Sequence, residues 1–133
     1  MNMKVDITLC VTPKMVTDAQ NNEKKAFTGH LGTHFDVMNK VFPLEFTELP
    51  GIVFDIRANG VGETGINDIN MNLVEEGMFV AFHSGFIDIE GYGGTKYFRE
   101  HPTLSMELIY ELLAKHVAII GVDFAGIRRG KEH

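Results

Sequence analysis

The segment Gly29-His30-Leu31-Gly32-Thr33-His34-Phe35-Asp36-Val37 gathers side chains that can hold a metal ion. His30, Gly32, His34 and Asp36 fall at even offsets, and Leu31, Thr33, Phe35 and Val37 at odd ones. In an extended conformation this alternation puts two imidazoles and a carboxylate on one side and a mostly apolar surface on the other. A helix would keep His30 and His34 on one face but carry Asp36 about 200° away from His34, and Gly32 would weaken it. The spacing therefore predicts an extended segment, with Gly32 leaving room for a metal and its bound water to approach the backbone. Two His and one carboxylate suit zinc, manganese or iron, and three protein ligands leave positions open for water and substrate, which is the pattern of a catalytic site. The competing reading is that these are scattered surface histidines.

Something must position that segment. Val5, Ile7 and Leu9 alternate with Asp6, Thr8 and Cys10, the period of a half-buried strand that Pro13 should end. Residues 18–25 are polar without apolar periodicity and predict an exposed loop, which could serve as a flap. After the Pro50-Gly51 turn, Ile52 to Ile56 predicts a second strand, and Gly60, Gly62 and Gly65 mark a loop. Met78 to Phe82 is apolar throughout and predicts a central strand. Ser105 is a candidate N-cap for a helix running to about Lys115 or His116, with Leu108, Ile109, Leu112 and Leu113 on one face. Val117 to Val122 predicts a further strand, and if it lies parallel to the central one the crossover should be right-handed. An α/β domain results. Gly91-Tyr92-Gly93-Gly94-Thr95-Lys96 reverses the order of a phosphate loop and reads as turn glycines.

With 133 residues, 44% of them apolar and 23% charged, the chain is expected to fold as one domain over residues 1–133. A formal charge of −6 disfavours a nucleic-acid partner, and the one basic cluster, Arg128, Arg129 and Lys131, reads as a solvated loop. Cys10 is the sole cysteine, so no internal disulfide forms, and it reads as a small buried apolar residue. The start lacks the apolar core of a signal peptide and no stretch is long enough to span a bilayer. A cytoplasmic location with no membrane partner is expected.

His30-x-Gly32-Thr33-His34-x-Asp36 resembles the His-x-Gly-Thr-His-x-Asp signature of the cyclase / kynurenine formamidase (arylformamidase) family of metal-dependent hydrolases. In the same order, Val5 to Thr8 resembles the family's first strand, and Ala81-Phe82-His83-Ser84-Gly85-Phe86 its apolar strand followed by Arg-Thr-Gly-Trp. His101-Pro102-Thr103-Leu104-Ser105 is similar to its His-Pro-Gly-Leu-Ser, and Ile120 to Asp123 to its Val-Gly-Ile-Asp. The resemblance implies an α/β fold of the swivelling β/β/α cyclase-like type with a mixed sheet, usually as a homo-oligomer. It implies hydrolysis of a small-molecule amide, cyclic amide or lactone-like ester by water activated on zinc or manganese. His30, His34 and Asp36 would be ligands, with Asp36 placed to bridge two ions, and His133 would match a later His ligand.

The sequence departs from the family in two places. The family continues Asp-x-Pro-x-His, with that His as acid and base, whereas here Lys40 stands in its place. A free lysine titrates at about 10.4, so base work near neutrality needs it depressed to about 7 to 8; otherwise it is an ammonium able to hold a carboxylate or oxyanion, or simply a solvated surface residue. The family's further glutamate ligand lies beyond the point matching His133, which implies a shortened chain, a site completed by another chain, or a degenerate site. His83 and Ser84 could line the substrate pocket or be held by local hydrogen bonds. His101, His116 and Asp123 read more readily as structural residues. Besides a hydrolase, the residues allow a non-catalytic small-ligand-binding protein on the same fold, or an interaction module with incidental histidines.

Overall fold

The computed structural model describes residues 3–20, 30–37 and 39–129. The chain divides into two compact units, Met1–Phe42 and Pro43–His133.

In the first unit, Pro13 begins a helix instead of ending a strand: α1 spans Pro13–Gln20. Proline suits the first helical position, where its missing N–H would have had no intrahelical partner. The Thr12 hydroxyl accepts the Met15 N–H at 3.3 Å, and Lys14 pairs with Asp18 one turn on. Residues 18–20 of the expected loop are thus the last turn of α1, and residues 21–25 lie outside the described residues. Apolar periodicity missed this helix because Ala19 is its one buried residue.

No strand forms over residues 5–10. Side chains take backbone donors that a sheet would use: Asp6 Oδ1 accepts the Thr8 N–H at 2.9 Å and Thr33 Oγ1 accepts the Leu9 N–H at 2.8 Å. The Thr8 hydroxyl and amide hold the Asp6 carboxyl below its ordinary value. Val5 and Ile7 stay exposed, and so does Cys10, which is not the buried residue its type suggested.

The second unit is built on parallel strands. β1 (Gly51–Asp55) is followed by the short β2 (Glu63–Thr64) and by β3 (Phe79–His83). Two short helices, α2 (Phe86–Glu90) and α3 (Thr95–Arg99), lead to β4 (Thr103–Leu104), then α4 (Met106–Ala114) and β5 (Ile119–Val122). One sheet has the order β1-β3-β5 and the other pairs β2 with β4, all parallel. The α/β class expected from the sequence is borne out, and both sheets among the described residues are parallel where a mixed sheet was expected.

Met78 to Phe82 does form the central strand, displaced by one residue. Its Val80 and Phe82 are fully buried, while Phe79, Ala81 and His83 are half-buried. One face therefore carries the core. The Phe82 ring packs 5.9 Å from that of Phe54 on β1. The Phe79 ring lies over Gly121 on β5, where an added Cβ would stand 2.6 Å from it and force the ring to shift.

Ser105 caps α4 as its sequence predicts, its hydroxyl accepting the Leu108 N–H at 3.0 Å, and Leu108, Ile109 and Leu112 are buried. His116 ends the helix with φ +55, a left-handed residue after the C-cap. The next residues run into β5, which places the C-terminal ends of β1, β3 and β5 side by side. Arg128 is not a solvated cation: its guanidinium bonds Glu63 at 2.8 Å and the Leu104 carbonyl at 3.0 Å, joining residues of β2 and β4. Arg129 reaches the Val61 carbonyl at 3.3 Å, and Lys131 lies outside the described residues.

Candidate metal centre

The histidine motif is not a straight extended segment. Residues 31–33 form a bend, and Gly32 holds φ +74, a backbone conformation costly for any residue with a Cβ. A Cβ there would also stand 3.0 Å from Val11 Cγ2. The expected alternation is broken at Gly32, yet the bend still brings the imidazoles together, with His30 Nδ1 3.2 Å from His34 Nε2. Gly32 serves by turning the chain, which composition alone could not distinguish from leaving space for a ligand.

The backbone sets the protonation of His34. Its Nδ1 lies 2.8 Å from the Gly32 carbonyl oxygen, and because a carbonyl only accepts, Nδ1 carries the proton. Nε2 then presents its lone pair towards His30. This is the arrangement in which a metal-ligating histidine is commonly held, one nitrogen anchored to a carbonyl and the other directed at the ion.

The donor spacing fits a metal. Two nitrogens bound at about 2.0–2.1 Å to a tetrahedral ion stand about 3.3 Å apart, close to the observed separation of 3.2 Å. In the absence of an ion the same geometry suits a hydrogen bond from His30 Nδ1 to His34 Nε2. Asp36 is the third donor, its Oδ2 3.9 Å from His30 Nδ1. Both side chains are accessible, His30 being 51% and Asp36 32% exposed. Among the described residues no three His, Cys, Asp or Glu side chains are drawn into a full metal-holding group. The motif is thus a histidine pair at ligand spacing with a carboxylate beside it.

Lys40 follows in a turn, its N–H donating to the Val37 carbonyl at 2.9 Å, and it is exposed, without the burial that base work requires. His133, the fourth residue expected at the metal, lies outside the described residues.

In the second unit, Asp55 and His83 are register partners at the ends of β1 and β3. Asp55 is clamped by Arg57, whose Nη2 lies 2.6 Å from Oδ2 and whose Nε lies 2.9 Å from Oδ1. These bonds, helped by the nearby His83, hold the Asp55 carboxyl well below the usual carboxylate range. Ser84 is buried, and its hydroxyl donates to Asp123 Oδ1 at 2.5 Å while its own N–H and that of Gly85 also donate to the Asp123 carboxylate. The Phe86 N–H donates back to Ser84 Oγ at 3.1 Å. Ser84 is therefore committed to the turn between β3 and α2, the local-bonding alternative that its sequence position allowed. His101 is buried, with Nδ1 2.6 Å from the Pro102 carbonyl and its ring stacked on Phe124.

A family model described as "Putative cyclase" matches residues 5–128. The chain belongs to the cyclase family. No curated protein and no solved structure matches it. The match runs through residues of both units, residues 30–36 among them. This family is generally metal-dependent. Among the described residues no helix is long and apolar enough to cross a membrane.

Two contributors to the geometry of the bend escape a reading of side-chain chemistry. Val11 packs against Gly32, and the Leu9 amide bonds Thr33. The available signal was the alternation of Val5, Ile7 and Leu9, which pointed to a strand and not to a brace for the motif.

Proposed function

We propose that the protein is a metal-dependent hydrolase of small amides, cyclic amides or lactone-like esters. The observation that carries this reading is the His30–His34 pair, whose nitrogens stand 3.2 Å apart with Asp36 Oδ2 3.9 Å from His30. His30, His34 and Asp36 would hold a zinc or manganese ion, and His133 would add a ligand. A bound ion of this kind supplies water acidified towards a pKa of about 7 and a polarised carbonyl. The Gly32 carbonyl keeps the proton on His34 Nδ1 so that Nε2 remains a ligand. Lys40, exposed after the motif, is assigned to holding an anionic group of the substrate or the charge that develops on its carbonyl oxygen. His83, half-buried beside Asp55, remains a candidate pocket residue, while the Ser84 hydroxyl is taken by Asp123. A homo-oligomer in the cytoplasm completes the reading.

The test is elemental mass spectrometry of protein purified without chelator, paired with turnover of formamides and lactones in added zinc or manganese. We expect near-stoichiometric metal, lost in His34→Ala, and hydrolysis lost in Asp36→Asn. Wild-type turnover by Asp36→Asn, or no metal uptake from either ion, would sink the mechanism. A second reading, a non-catalytic small-ligand-binding protein on the same fold, is favoured by the exposed Lys40 at the place of the family's acid-base His. Ligand-induced thermal shifts with no turnover would select it.

A further inference from the structure

The ligand candidates flank a bend that could adopt many conformations, so something must select the one observed. Two contacts to the N-terminal segment do so. Leu9 donates its N–H to Thr33 Oγ1 at 2.8 Å across 24 residues of chain. Val11 Cγ2 stands 3.0 Å from the position a Cβ on Gly32 would take. Residues 9–11 thus meet the bend twice, at consecutive positions between the two histidines.

Thr33 lies between the Gly32 carbonyl and the His34 ring that donates to it. Rotation of the peptide joining residues 32 and 33 would swing that carbonyl away from His34 Nδ1. Anchoring the Thr33 side chain restricts this rotation, because its oxygen is fixed on a donor belonging to a distant part of the chain. From this geometry we infer that Thr33 is a positioning residue: its hydroxyl, docked on the Leu9 amide, aims the Gly32 carbonyl at His34 Nδ1 and thereby keeps His34 Nε2 as the metal-facing nitrogen. The metal-binding part of this inference rests on the hydrolase reading, whereas the effect on the His34 ring exists without an ion.

The experiment compares wild type, Thr33→Val and Thr33→Ser. Valine keeps the branched shape and loses the acceptor; serine keeps the acceptor. In metal-free protein, nitrogen-15 NMR should show the His34 Nδ1–H tautomer in wild type and Thr33→Ser and a mixture of tautomers in Thr33→Val, while the Leu9 amide loses its exchange protection in Thr33→Val alone. Zinc affinity measured by competition with a chelating dye should fall about tenfold in Thr33→Val and recover in Thr33→Ser, the scale usual for groups that orient a ligand. An unchanged tautomer in Thr33→Val, or a Thr33→Ser protein as impaired as Thr33→Val, overturns the inference. Failure of wild type to bind zinc or manganese overturns the hydrolase reading instead, and the tautomer comparison still decides the role of Thr33.

Discussion

The bend at Gly32 and the strand ends at Ser84 and Asp123 both present the residue types of a functional site, but they use them in opposite ways. In the bend, two imidazoles turn their nitrogens on each other at 3.2 Å from an accessible surface, with one carboxylate beyond hydrogen-bonding distance of His30. At the strand ends, a single carboxylate gathers the Ser84 hydroxyl and the Ser84 and Gly85 N–H groups. A cation can replace the shared proton of the histidine pair without stranding a buried group. Extracting the Asp123 carboxylate for a ligand would leave buried donors unpaired, at about 1–3 kcal/mol for each. The difference separates accessible groups that bond each other from groups spent on the fold.

That contrast can be broken from the structural side first. Phe82→Ala in the central strand should cost about 3–5 kcal/mol of stability in urea denaturation, because the ring is buried against Phe54. Asp123→Ala should cost about 2–3 kcal/mol by the same measurement, from the donors it orphans. A loss below about 0.5 kcal/mol, the size of an ordinary surface substitution, would contradict the structural role of Asp123. Ser105→Ala removes one N-cap bond from α4 and should cost about 1 kcal/mol.

The smallest effect belongs to the exposed Asp55–Arg57 pair. Its folded carboxyl is depressed by Arg57, so its contribution is present above the unfolded carboxylate value of about 3.9 and is lost as pH falls through the lower folded value. Melting temperatures of wild type and Asp55→Asn should therefore differ slightly near neutrality and converge in strong acid. A difference that widened on acidification would contradict the assignment of the shift to Arg57.

Much of the second unit was legible because its strands are short apolar runs bounded by turns. Ile52 to Ile56, Met78 to Phe82 and Val117 to Val122 each announce a strand, and Ser105 announces α4 through a cap and one apolar face. β2 and β4 were not legible, since each is two residues long and pairs with a partner some forty positions away. The helix at Pro13 was missed because a cap, a proline and an ion pair define it, while apolar periodicity does not.

By itself, the sequence determined the side-chain types at residues 30, 34 and 36, the α/β class and the family, because composition, period and motif are local properties. Tertiary structure decided the rest. It made Gly32 a left-handed turn, put the proton of His34 on Nδ1, and braced the motif with residues 9–11. It also took Ser84 from pocket candidate to hydrogen-bond partner of Asp123. Such outcomes depend on which donor meets which acceptor across 24 or 39 residues of chain, and only a folded backbone sets those distances.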